Sequence, residues 1–324
     1  MKAIVQHRYG SPAEVLEFCD VDRPDPGPGQ VLVRVRASSV NPADWFTLTG
    51  TPYLMRVAFG LGRPKHRVQG RDVAGTVEAV GPGVTRFAAG DDVYGELTHG
   101  AYAEYAVADE GALARKPATL DFPEAAAVPL ACVTALQGLR DSGGVTAGTR
   151  LLVNGASGGV GTFAVQIGKA LGAHVTGVCS ARNAELVRSA GADEVVDYAR
   201  TDFTRGEQRY DVVFDLVGNH SMTAYRRVLD RRGVYVSSSG MPGGPVLGPV
   251  PYLVGVALSG LRGRPRMRVL VVKSTVEDLE TIARMVVAGE ITPVITRTRT
   301  LAELPEALAA QGNGHARGKT VITV

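Results

Sequence analysis

Cysteine is scarce in this sequence. Only Cys19, Cys132 and Cys179 occur in 324 residues, and no two of them form a C-x-x-C pair. So few thiols, odd in number, exclude a disulfide framework. Long apolar runs are also missing. The longest, Tyr252 to Leu261, is about half the length a bilayer span requires. The opening residues Met1 to Gln6 read as a short strand, not as a signal peptide. These absences set the expectation of a cytoplasmic chain without a membrane partner. Nor is there a strong charge of one sign: 35 Lys and Arg stand against 32 Asp and Glu, a net charge of +3. The pairs Arg226-Arg227 and Arg231-Arg232 and the run Arg262, Arg264, Arg266, Arg268 are local exceptions. Acids are interspersed along the rest of the chain, so these arginines read as solvated faces and turns, and no nucleic-acid partner is expected. Glycine is plentiful, at 40 residues, but has no triplet period, which excludes collagen.

What is present suits two domains, since 324 residues at 45% hydrophobic content exceed one ordinary core. The first third reads as β structure. Val31, Val33 and Val35 alternate with Leu32, Arg34 and Arg36 after the rigid turn Pro24 to Gly29. Further strands are predicted at Asp72–Val80, before Gly81-Pro82-Gly83, and at Ala101–Val107. Phe122-Pro123-Glu124 opens an alanine-rich helix, with Pro123 suited to a first turn. After Gly148 strand and helix alternate. Apolar strands at 151–153, 175–178, 195–196, 212–214 and 234–236 are separated by helical spacing at 160–171, 185–189 and 221–229. This βαβ succession implies a parallel sheet covered on both faces by helices, an α/β fold. Beyond the stretch Gly240 to Pro251, Val269 to Val272 is predicted as a last strand and Glu277 to Val287 as helix. The tail from Ile291 reads as strand-like runs ending in Lys319 to Val324, a strand able to rejoin the N-terminal β structure.

The strongest local signal is Asn154-Gly155-Ala156-Ser157-Gly158-Gly159-Val160-Gly161. It follows a strand and opens a helix, the context of a dinucleotide site. Gly155 allows the tight turn, Gly158 and Gly159 remove Cβ atoms that would hold a pyrophosphate away, and Gly161 lets the helix pack on the strand. Ser157, Gly158, Gly159 and Val160 are therefore candidate pyrophosphate ligands, the helix-start amides facing the anion. Ala156 replaces the second glycine of the strict fingerprint, and a ligand-free βα turn is the alternative. An NAD site places an acid about 20 residues on, at the end of the second strand. Here that stretch is Val178-Cys179-Ser180-Ala181-Arg182-Asn183, with no acid. Ser180, Arg182 and Asn183 offer a hydroxyl, a guanidinium and an amide, groups that suit a 2′-phosphate. An ion pair at 4 Å is worth roughly 4 kcal/mol before desolvation, and a fraction of that shifts preference tenfold. The cofactor expected is NADPH.

These stretches, with Gly191 to Tyr198 further on, resemble the quinone oxidoreductases of the medium-chain dehydrogenase/reductase superfamily, and within it the branch of the reticulon-interacting oxidoreductases. The N-terminal third agrees, at Val40 to Asp44, Gly70 to Gly75 and Gly90 to Gly95, as does the tail Arg317 to Ile322. The resemblance implies a GroES-like catalytic domain, residues 1–122 with 292–324, and a Rossmann domain with a doubly wound parallel sheet, residues 123–291. It also implies a cleft between them and a homodimer through the Val269–Val272 strand. Asn41 and Thr134 would contact the nicotinamide end of the cofactor, Tyr198 the adenosine end, and the loop Leu216-Val217-Gly218 would flank the nicotinamide. Lys319 joins them as a cofactor-binding position. Each has a structural alternative: Asn41 shaping a turn before Pro42, Thr134 as a helix residue, Tyr198 as a packing aromatic.

Related alcohol dehydrogenases bind catalytic zinc through Cys, His and a later Cys or Asp. The matching positions here are Asn41, Arg71 and approximately Leu130, none suited to zinc; Cys132 alone makes no site, and His66 and His99 read as isolated surface or structural residues. Without a Lewis acid, alcohol oxidation is disfavoured, whereas a quinone or enone accepts hydride readily as charge delocalises onto oxygen. Asn41 and Tyr53 are the candidate catalytic residues, Tyr53 as a donor to the substrate oxygen or else a rim aromatic, and Asp44 as a helix cap. Variable loops, Tyr53 to Gly62 and Gly240 to Arg262, would form the substrate pocket. The expected activity is NADPH-dependent reduction of quinones or activated double bonds. An enoyl-thioester reductase, and an NADPH-binding sensor, structural or RNA-binding protein, remain as other readings.

Overall fold

The valines at 31–35 lie in the central strand of the larger β structure, buried to 2% exposure or less, while Arg34 and Arg36 point outward. The computed structural model describes residues 1–238, 244–261, 263, 265–314 and 316–324. The chain divides into two compact units: Met1–Val133 with Ser274–Gly289 and Pro293–Val324, and Thr134–Lys273 with Glu290–Thr292. In the first, β1 (Lys2–Gln6) pairs with β2 (Leu16–Asp20). There follow β3 (Gln30–Val40), α1 (Pro42–Thr49), β4 (Asp72–Val80), β5 (Asp92–Glu96), β6 (Tyr105–Asp109) and β7 (Leu113–Arg115). The strand predicted at Ala101–Val107 lies later, as β6. Ala101, Tyr102 and Ala103 are all buried rather than alternating, and the amides of Ala101 and Tyr102 bond to Gly70 and Gln69 carbonyls. The Tyr102 ring occupies the space a Cβ on Gly70 would fill.

Helix α2 (Phe122–Ala126) begins as expected. Asp121 is its cap, accepting from Glu124 N at 2.7 Å while Glu124 Oε2 accepts from Asp121 N at 2.9 Å. It packs on β3 and β4, which is why the first unit continues past residue 122.

The second unit is the alternating one. It contains β8 (Arg150–Asn154), α3 (Gly159–Ala170), β9 (His174–Cys179), α4 (Ala184–Ser189), β10 (Glu194–Asp197), β11 (Tyr210–Asp215), α5 (Met222–Val228), β12 (Leu229–Ser237), α6 (Val250–Gly260) and β13 (Arg266–Val269). The strand order is β10-β9-β8-β11-β12-β13, every pair parallel. That is the doubly wound Rossmann order, with its switch point between β8 and β11. The strand predicted at Val269–Val272 is displaced. β13 starts at Arg266 because Met267 turns inward between the outward Arg266 and Arg268, and it ends at Val269 because its neighbour β12 ends at Ser237. Leu270 makes one last bond to Ser237 O, and Val271 is 83% exposed. Arg266 and Arg268 are thus exposed residues on a solvated strand face; Arg262 and Arg264, and Gly240 to Gly243, lie outside the described residues.

The chain then returns to the first unit through α7 (Val276–Val287), β14 (Ile295–Thr300), α8 (Leu304–Gly312) and β15 (Lys319–Thr323). The Tyr94 hydroxyl donates to Leu279 O at 2.7 Å, and Leu279 and Ile282 are buried, so α7 belongs here rather than with the Rossmann sheet. Helix α8 falls where only strands were expected. Its signal was present in the Thr300–Glu303 capping box and in Leu301, Leu304 and Leu308 at helical spacing, all three buried. Strand β15 does rejoin the N-terminal β structure, antiparallel to β3 and parallel to β14, in the order β14-β15-β3-β4-β5-β7 with β6 on β3.

Close packing of α3 on its strand depends on Gly161, where a Cβ would lie 2.2 Å from Gly155 O. Gly161→Ala is expected to destabilise the protein by about 1–3 kcal/mol through overpacking, read as a lower thermal midpoint. A Cβ on Gly158 meets only Gly155 O, at 3.5 Å, so Gly158→Ala is expected to melt as the wild type does. Equal melting of both variants would contradict this packing.

Candidate active site

At the switch point of the Rossmann sheet, Asn154 ends β8 and Asp215 ends β11. Asp215 is completely buried. Its Oδ1 accepts from Asn154 Nδ2 at 2.8 Å and from the amides of Val217 and Gly218 at 3.0 and 2.9 Å. Its Oδ2 accepts from the Tyr235 hydroxyl at 2.5 Å and the Tyr252 hydroxyl at 3.3 Å. Burial, reinforced by the Asp215 charge, pushes the Tyr252 phenol up to about 12 and those of Tyr225 and Tyr235 further. All three stay neutral donors. A buried carboxylate thus shapes the loop that holds Val217, whose side chain is 39% exposed. Sequence reasoning singled out that loop but missed Asp215; the available signal was an acid ending an apolar strand.

The glycine turn leans on β9, with the amides of Gly155 and Ala156 bonded to Val178 O at 3.1 and 3.0 Å, and Gly155 at φ +89°. Gly158 is the N-cap of α3 and supplies no side-chain cap, so the first amides of the helix have no partner within it. The backbone outside Gly158 is open. Uncapped amides beside an unfilled Cβ position fit an anion such as a diphosphate. Ser157 is buried, and its Oγ accepts from Asn183 Nδ2 at 3.1 Å. Asn183 therefore faces inward as a brace for the turn, whereas Arg182 is exposed and Ser180 half-buried. Tyr198, 49% exposed, hydrogen-bonds through its amide to Cys179 O, which brings it beside Ser180. Thr134, on the helix Pro129–Gln137, is buried.

In the first unit, strand register assembles a second polar centre. Ser39 on β3 lies opposite both Asp72 on β4 and Val321 on β15. This places Asn41, Asp72 and Lys319 together, all at most 2% exposed. Lys319 Nζ donates to Asn41 Oδ1 at 2.6 Å and lies 3.3 Å from Asp72 Oδ2. Asn41 Nδ2 donates to the same carboxylate at 2.8 Å, as does Ser39 Oγ at 2.5 Å, and Leu130 N bonds its Oδ1 at 2.9 Å. The Asn41 amide is held at both ends. Its backbone N–H donates to Asp44 Oδ2 at 2.8 Å, so Asp44 closes the start of α1 for which Asn41 is the cap. Of the three positions matched to zinc ligands, Asn41 and the Leu130 amide meet on Asp72, and Arg71 stands 3.5 Å from Glu96. Among the described residues, no three His, Cys, Asp or Glu side chains are grouped to hold a metal. Burial raises the Cys132 thiol far above its ordinary range.

One expectation changes. His66 and His99 are not isolated: their ring centroids are 3.5 Å apart, because Gly100 N bonds Gln69 O and draws the two loops together. Burial, and then the second ring, lower the His66 pKa. Tyr53 is 49% exposed, with the Arg56 guanidinium 4.6 Å from its ring, and no hydrogen bond joins it to Asn41 among the described residues.

Burial, with the Asp72 charge added, pushes the Asp44 carboxyl up to about 6 and that of Glu96 up to about 7. A raised folded-state value means that ionisation disfavours the native state. The stabilisation is complete below the ordinary carboxyl range and is lost as pH climbs to about 7. At about 1.4 kcal/mol per unit, Asp44→Asn/Glu96→Gln should gain a few kcal/mol on the wild type between pH 4 and 8. Denaturant titrations across that range check it, and parallel wild-type and variant curves would refute it.

Residues 27–118 match the alcohol dehydrogenase GroES-like domain family, and residues 190–322 the zinc-binding dehydrogenase family. The chain is 34% identical to the chloroplast envelope quinone oxidoreductase homolog of Arabidopsis thaliana, over 99% of this chain and 98% of that protein. It is 34% identical to the mitochondrial NAD(P)H oxidoreductase RTN4IP1 of Mus musculus, over 92% and 82%. The structure of Escherichia coli quinone oxidoreductase complexed with NADPH covers both chains fully, with a TM-score of 0.83 and 26% identity. Fold and relatives agree that this chain is an oxidoreductase belonging to the quinone-oxidoreductase branch of the medium-chain dehydrogenase/reductase superfamily.

Proposed function

We propose that the chain is an NADPH-dependent reductase of quinones or activated carbon–carbon double bonds, acting without zinc. The observation that carries this reading is the uncapped start of α3 beside the open backbone of Gly158, with an acid-free stretch and exposed Arg182 at the end of β9. The amides of Gly159 and Val160 take the diphosphate, with Ser157 braced by Asn183. Ser180 and Arg182 take the 2′-phosphate, and Tyr198 lies against the adenosine. Thr134 and Val217 serve the nicotinamide end, Val217 through the loop that Asp215 shapes. Bound NADPH supplies the hydride.

Asn41 and Lys319 supply donors of fixed direction toward the reacting groups, because the Lys319–Asp72 ion pair and the hydrogen bonds of Asn41 to both leave neither side chain free to rotate. The Tyr53 hydroxyl donates to the acceptor oxygen. The side chains at 41, 71 and 130 support a reaction without Lewis-acid assistance, which favours acceptors whose charge delocalises as hydride arrives. The partner molecules are a small quinone or enone and a second copy of this chain, paired through the sheet edge at β13. The sparse free cysteines suit the cytoplasm.

NADPH oxidation with 9,10-phenanthrenequinone, 1,4-benzoquinone and an alkenal, with metal analysis of the same sample, tests the reading. Acceleration by at least one acceptor, with metal absent, is expected; binding without turnover of any acceptor would identify a sensor instead. By calorimetry, Gly158→Ala should weaken NADPH while keeping its melting temperature. Arg182→Ala should reduce the preference for NADPH over NADH about tenfold, the effect of about 1.4 kcal/mol. Unchanged preference would remove Arg182 from the site.

A further inference from the structure

The stretch between Asp44 and Asp72 is free of acids. Residues 45–71 carry Arg56, Arg63, Lys65, Arg67 and Arg71 and no Asp or Glu. Two of these cations are engaged. Arg56 lies between the rings of Tyr9 and Tyr53 at 4.5 and 4.6 Å and donates to Gly50 O, and Arg71 faces Glu96. Arg63, Lys65 and Arg67 are exposed and, among the described residues, make no ion pair. Directly before them Leu54, Val57 and Leu61 are 47%, 69% and 75% exposed. Leu54 and Val57, three residues apart, share one side of the consecutive turns Tyr53–Met55 and Arg56–Phe59, and Leu61 follows Gly60 in the loop just beyond them.

This segment is held in place. The Tyr9 hydroxyl donates to Gly60 O at 2.6 Å, Lys65 N to Phe59 O at 2.8 Å, and Gln6 N on β1 to Arg67 O at 2.7 Å. Gly60, at φ +122°, permits the turn, since a Cβ there would stand 2.0 Å from Arg63 O. Single exposed apolar residues are ordinary on protein surfaces. Three exposed within residues 54–61, continuous in sequence with three cations that make no ion pair among the described residues, form the pattern of an interfacial segment. In such a segment apolar side chains enter the headgroup boundary while cations hold anionic headgroups.

We propose that the segment Leu54–Arg67 docks this protein on an anionic phospholipid surface. Leu54, Val57 and Leu61 enter the boundary layer, and Arg63, Lys65 and Arg67 contact headgroup phosphates. Nucleic acid would engage the cations but leave the apolar row in water, so lipid fits the whole segment better. The sequence expectation of no membrane partner rested on the length of apolar runs, which bears only on spanning. The proposal is independent of the reductase reading, because docking is measured without cofactor or acceptor.

Sedimentation with vesicles of phosphatidylcholine and phosphatidylglycerol is the test, with vesicles of phosphatidylcholine alone as the control. The full chain should bind the mixed vesicles, weaken steeply as salt rises, and ignore the neutral ones. Arg63→Glu/Lys65→Glu/Arg67→Glu should bind at least tenfold more weakly while keeping the wild-type melting temperature, and the exposed Leu61→Ser should also weaken binding. Leu61→Trp should add fluorescence that brominated lipid quenches. No binding at low salt, equal binding to neutral vesicles, or a charge-reversed variant that binds like the wild type would overturn the proposal. So would an unquenched Leu61→Trp on a protein that binds DNA as tightly as vesicles.

Discussion

The carboxylate of Asp72 joins parts of the first unit that lie far apart in sequence. Fully buried at the start of β4, it gathers Ser39 and Asn41 from the end of β3, Lys319 from β15 and an amide from the helix at Pro129. A charge this deep is tolerable only when its acceptor positions are filled. Each donor is therefore constrained by the others, and removing one would leave an ion uncompensated in the interior. The chemistry proposed for Asn41 depends on that constraint, since an amide held by an ammonium at one end and a carboxylate at the other presents a single orientation. Burial first, and then this same field, explain the reluctance of Asp44 and Glu96 to ionise nearby.

Asp215 does comparable work in the second unit by different means. Among the described residues its charge is balanced by neutral donors: two phenols, one side-chain amide and two backbone N–H groups. The outcome is a defined loop at the sheet's switch point, where doubly wound sheets bind ligands. The glycine turn from β8 lies against it, for a Cβ on Gly155 would meet the Val217 side chain at 2.9 Å.

Local patterns in the sequence were a good guide wherever one neighbour decides the structure. The valine alternation of β3, the continuous apolar strands of the parallel sheet and the capped start of α2 follow from period and end chemistry. Residues whose meaning comes from distant partners were not readable. Asp215 and the Asn41–Lys319 contact depend on strands separated by many residues, and nothing near Lys319 announces that its ammonium is buried. Asn183 was chosen for its chemistry, but its direction is set by Ser157. The β13 boundary was misjudged because hydrophobicity favoured Val271, while the strand could extend only as far as its neighbour. His66 and His99 meet through loop geometry that no motif encodes. Helix α8 was the exception, since its cap and its leucine spacing were both there to be read.

The placement of β15 against β3 has a temporal meaning. During synthesis the second unit, drawn almost wholly from one stretch of chain, can close as soon as it is made. The sheet of the first unit must wait, because the neighbour of a strand begun at residue 30 is delivered only after residue 319. At about 5–20 residues per second, the Ala37–Val40 end of β3, which β6 does not reach, spends many seconds with an unsatisfied edge. That interval is when a nascent chain is most exposed to mispairing, and chaperone attention would be directed there rather than at the dinucleotide fold.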